Sequence, residues 1–172
     1  MKAIDAVRTL LTMSDEGFAA IAADMRDHPL TRPILRDGRA EGNHPLWIIG
    51  HLAFIEGSIP GILFGPDKAG PNPVEHWRPL FATGTQPLDD PAAYPSFDEA
   101  LSTLRSLRAS TLALLDEIGD DGLSRVPAAP PPELADAMTT FGQALMLLAL
   151  HQMVHYGQIA DARRVARLAP PL

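Results

Sequence analysis

Ser96–Gly119 reads SFDEALSTLRSLRASTLALLDEIG. Within it Phe97, Ala100, Leu104, Leu107, Thr111, Leu114 and Ile118 recur at alternating steps of three and four, and six of these seven are apolar. That period belongs to a helix with one buried stripe. Ser96, with Glu99 three residues on, has the form of a capping box. Gly119 and Gly122 are suited to stop the helix. Nearer the N-terminus, Ile4, Val7, Leu11, Ser14, Phe18, Ile21 and Met25 repeat the same stepping. Alternating apolar–polar strand patterns are absent, so the sequence predicts an all-α fold.

The prolines count the helices. There are 17 of them, about double the usual share, and proline is excluded from helix interiors. Residues 1–28, 46–59, 96–126 and 133–169 contain none, whereas 60–95 and 127–132 are crowded with them. Pro45 suits a first helical position. Thr140 with Gln143 offers a second capping box, and Arg163, Arg164 and Arg167 suit the closing turns of the last helix. We therefore expect a four-helix bundle, as a single domain over residues 1–172. Between Gly65 and Pro95 only a short turn near Val74–Leu80 is expected. A connector of that length can run the whole bundle, so the second and third helices can lie parallel.

Composition removes several functions. The chain has 172 residues, 14 basic and 21 acidic, for a net charge of −7, and no cysteine. An acidic chain without a basic block is a poor partner for nucleic acid or an anionic membrane. Disulfides, thiolate ligands and cysteine nucleophiles are excluded. The longest unbroken apolar run, Ala144–Leu150, is too short to span a bilayer, and no secretory leader pattern opens the sequence. The expectation is a cytoplasmic protein with no membrane partner. No phosphate-cradling glycine loop, serine-hydrolase elbow or pair of helical Glu-x-x-His motifs occurs.

The fourth helix breaks its own pattern. Its stripe reads Phe141, Ala144, Leu148, His151, His155, Gln158, Ala162, Val165, with three polar side chains in mid-face. Burying such groups unpartnered costs on the order of 1–3 kcal/mol each. His151 and His155, four apart, project from one face and can share a metal ion. The second helix is interrupted in the same way: His44, Ile48, His51, Ile55, Ser58 place His51 between two isoleucines. Three imidazoles from two helices make an open, catalytic type of site, with one position left for water or substrate. Gln158 is in phase to bond that position, against the plainer alternative of a satisfied core amide. His44, beside Asn43 and Pro45, suits a helix start better than ligation. Glu56 is rotated off the face and is expected to be solvated or an outer partner of the site. Trp47 could wall a pocket or simply fill core. Trp77 and Tyr94 could cover the site or anchor a loop. His28 and His76 read as surface residues.

Asn43–Gly57 (NHPLWIIGHLAFIEG) and His151–Ile159 (HQMVHYGQI) resemble the DinB family of metal-binding four-helix bundles. Phe81–Ala100 (FATGTQPLDDPAAYPSFDEA) resembles that family's loop into its third helix. The resemblance implies an up-down-down-up topology with a long crossover between helices two and three. It implies a divalent metal held by His51, His151 and His155, with zinc or nickel foremost and iron after them. It also implies a homodimer. Some relatives are metal-dependent transferases or isomerases using low-molecular-weight thiols. Two functions follow as expectations: a metalloenzyme acting on a small-molecule substrate, with a thiol or a water activated by the ion, or a non-catalytic metal-binding stress or interaction protein. A plain bundle without an ion is the third reading.

Overall fold

The computed structural model describes residues 2–34 and 38–169. Four long helices carry the architecture: α1 (Ala3–Ala23), α2 (Pro45–Phe64), α3 (Phe97–Gly122) and α4 (Phe141–Val165). No strand occurs among the described residues, only an isolated bridge between Ile34 and Ala40.

Contacts between helix ends fix the directions. Ile4 N donates to Asp120 Oδ1 at 2.8 Å, so α1 and α3 are antiparallel. Ser14 meets Gln152, and Asp24 pairs with Arg163, so α1 and α4 run together. Asn43 reaches Gln158 while the Phe64 and Phe141 rings meet at 5.3 Å, so α2 and α4 are antiparallel. The topology is up-down-down-up, and α2 and α3 are parallel. The connector between them travels back along the bundle, with short helical turns at Pro66–Ala69, Glu75–Trp77, Arg78–Phe81 and Pro91–Ala93.

The helix ends follow their side chains. Pro45 opens α2, and the Ser96 and Thr140 hydroxyls accept from Glu99 N and Gln143 N, each at 3.2 Å. Gly119 adopts φ 64°, breaking α3 before its final turn to Gly122. Two expectations need correction. α2 does not stop before Pro60 but runs through it to Phe64. Ile59 and Leu63, each 1% exposed, hold that turn in the core against the missing proline N–H. The buried face of α3 is also rotated from the predicted stripe. Leu101, Arg108 and Leu115 are inside, whereas Leu107 and Leu114 are half-buried.

α2 is apolar on all sides, as a central helix is. It is long and apolar enough to cross a membrane by composition, yet 72% of that window is buried inside the bundle. The core falls into two apolar clusters. One gathers Phe18, Met25, Trp47, Phe81 and Leu104, and the other Leu11, Leu63, Leu115, Phe141 and Leu145. Each helix places a buried polar residue between the two: Ser14, Glu56, Arg108 and Gln152. Arg108 Nε and Nη2 donate to Glu56 Oε1 and Oε2 at 2.8 and 2.9 Å. Its Nη1 donates to Leu11 O at 2.7 Å and to Ser14 Oγ at 3.2 Å, and Ser14 Oγ lies 2.9 Å from Gln152 Oε1. The network ties all four helices together at mid-height.

Candidate metal centre

The start of α2 is locked to the connector by its own side chains. His44 caps the helix: Nδ1 accepts from Trp47 N at 3.1 Å and Nε2 donates to Leu88 O at 3.0 Å. It is a helix-start residue, as its neighbours Asn43 and Pro45 suggest. Trp47 Nε1 donates to Leu80 O at 2.9 Å and to Thr85 Oγ1 at 3.2 Å. One turn later His51 stacks on the Trp47 indole, with centroids 4.7 Å apart and planes 8° from parallel. Trp47 is therefore a wall of the site.

Gly50 lets the connector close in. A Cβ there would lie 2.2 Å from the Phe81 ring, so only glycine admits that ring against the helix. Phe81 O then accepts from His51 Nδ1 at 2.7 Å. On α4, His155 Nδ1 donates to Gln158 Oε1 at 2.9 Å, and Asn43 Nδ2 donates to the same oxygen at 3.3 Å. Because both Nδ1 protons go to oxygens, the Nε2 atoms of His51 and His155 carry lone pairs.

Both atoms face His151 Nε2. His151 Nε2 lies 3.1 Å from His155 Nε2 and 3.4 Å from His51 Nε2. The three ligand atoms all fall within 4.8 Å of one another. Two nitrogens bound about 2.05 Å from a tetrahedral ion stand about 3.3 Å apart, so the spacing suits a shared cation. His51 and His155 are buried and His151 is half-buried. Burial, then the neighbouring imidazoles, push His155 down to about 3 and His151 down to about 4. Burial also lowers His51, against the opposing pull of the Phe81 carbonyl. All three are neutral near pH 7, the form that binds metals. The cluster can hold a metal ion: its donors are neutral and convergent, and two of them are oriented from behind.

The structure thus brings together the three histidines the sequence singled out, with Gln158 behind one of them. Glu56 is corrected. It is neither solvated nor at the site but 2% exposed, in the ion pair with Arg108. Tyr94 and Trp77 anchor the connector: Tyr94 Oη accepts from Leu88 N at 2.6 Å, and Trp77 packs on Phe81 at 5.4 Å. His76 is exposed and His28 half-buried. The sequence reasoning missed two orienting groups, the Phe81 carbonyl and the Asn43 amide. A main-chain carbonyl leaves no mark in side-chain spacing. Asn43 could have been found as the residue immediately before a capping histidine, at the head of the α2 stripe.

Neither the curated proteins nor the solved structures gave a match to this chain. Residues 2–159 match a family described as the DinB superfamily. With that match spanning nearly the whole bundle and the histidine cluster inside it, the chain belongs to the DinB superfamily.

Proposed function

We propose that His51, His151 and His155 hold one divalent ion, and that the protein is a metal-dependent enzyme acting on a small molecule. One observation carries this: three Nε2 atoms from two helices converge while the Nδ1 protons of His51 and His155 are already committed to Phe81 O and Gln158 Oε1. An apolar bundle that wanted only packing has no need of that orientation. When bound, such an ion is a Lewis acid that lowers the pKa of a coordinated thiol or water. The chain supplies the rest. The Trp47 indole holds the His51 ring in plane, and Gln158 fixes the His155 tautomer. A thiol would come from a small molecule, because the chain has no cysteine. Imidazole donors suit zinc, nickel, iron and copper alike, and zinc and nickel are the ions proposed first, with iron after them.

Elemental analysis of purified and reloaded protein tests the site, with about one ion per chain expected. His155→Ala should lose the ion while keeping its helical circular dichroism. Loaded protein should turn over in a panel of low-molecular-weight thiols paired with electrophiles. Full metal occupancy with no turnover would overturn the enzymatic half of the proposal, and absence of metal after reloading would overturn both halves.

A further inference from the structure

A groove of about 410 Å³ opens between α2 and α4, with His151 in its wall. α2 supplies Ile55, Ile59 and Ile62, spaced to share one face. α4 supplies Leu147 and Leu148, and Met138 closes one side. Leu150 and Val154 stand at the rim, 54% and 63% exposed. Among the described residues lining it, Glu133 is the one charged side chain, and it is exposed. The volume is that of a small-molecule cleft, for which about 300–1,000 Å³ is usual.

We infer that this groove takes the uncharged apolar body of a ligand whose polar head is bound at the three histidines. The inference rests on the metal-site proposal and names its substrate class: a molecule with one metal-ligating head, such as a thiol, and an aliphatic or aryl tail. His151 belongs both to the nitrogen cluster and to the groove wall, and it is the residue through which a ligand in the groove would meet the cluster. The wall offers no lysine or arginine to a tail carrying negative charge, and Glu133 would repel one. The branched apolar lining rewards tail length alone, by about fourfold in affinity per buried methylene.

The test uses the full chain loaded with Co(II), whose thiolate charge-transfer band reports ligand at the ion itself. Ethanethiol, butanethiol and hexanethiol are titrated in turn, with cobalt content measured on each sample. Dissociation constants should fall about fourfold per methylene over this series. Leu147→Gln should flatten that slope while the cobalt spectrum and the circular dichroism stay as in wild type. A series flat or rising in wild type, with cobalt bound, would overturn the groove assignment and leave the metal site standing. That outcome includes a groove covered by a second copy, seen as a dimer by sedimentation. Failure to take up cobalt would overturn the metal site, and this inference with it.

Discussion

Gln158 Oε1 stands 2.9 Å from His155 Nδ1 and accepts its proton, one turn along the same helix. The amide oxygen sets the tautomer that leaves His155 Nε2 free toward His151. Gln158→Leu keeps the helix and the volume but removes the acceptor. Metal affinity should fall about 10- to 100-fold, read by competition with a chromophoric chelator. Gln158→Glu, which still accepts, should retain binding. Equal affinities in wild type and Gln158→Leu would mean the amide only fills space.

Gly50 supports the site from a greater distance. A methyl at this position meets the Phe81 ring at 2.2 Å, so the ring and its carbonyl must move away from His51. Gly50→Ala should therefore destabilise the fold by about 1–3 kcal/mol, as overpacking does, despite alanine's better helix propensity. It should also weaken metal binding, which a simple core defect elsewhere would not. Urea denaturation and the same chelator titration separate the two effects.

The legible part of this molecule is the part written in periodicity. The α1 stripe from Val7 to Met25 is buried as its spacing predicts, and Ser96 and Thr140 cap the helices they were expected to cap. His51, His151 and His155 were visible because they interrupt apolar stripes on two helices. Arg108 was invisible for the opposite reason. An arginine off the apolar stripe reads as solvated, and its burial depends on Glu56 arriving from another helix at the right height. Pro60 misled through local propensity, which the packing of Ile59 and Leu63 overrides. The groove needed the placement of Met138 and of α4, which no single segment encodes.

Arg108 and Glu56 make a bidentate pair with side chains 2% and 1% exposed. Removing one partner leaves a buried charge, so Arg108→Met should destabilise by about 3–5 kcal/mol. The double variant Glu56→Leu/Arg108→Met leaves no orphan charge and should recover most of that loss. Chemical denaturation of the two single variants and the double variant gives the coupling directly. A double variant as unstable as the sum of the singles would show that the pair is not what holds the four helices in register.

The histidine cluster should also make the metal-free protein acid-sensitive. His151 and His155 sit at about 4 and about 3 in the fold, below the ordinary 6.5, and burial lowers His51 and His44 as well. Between the folded and unfolded values the unfolded chain binds more protons, so stability rises with pH there. The contribution is complete above about pH 6.5 and is lost as pH falls toward 4 and then 3, by up to about 1.4 kcal/mol per pH unit for each group. Thermal melts of metal-free wild type should drop steeply between pH 7 and 5. His151→Asn/His155→Asn should show a shallower slope over the same window, because two of the groups responsible are gone. Bound metal should add stability that also disappears on acidification, as protons compete for the same nitrogens. Parallel slopes for wild type and the double variant, both metal-free, would place the acid sensitivity elsewhere in the bundle.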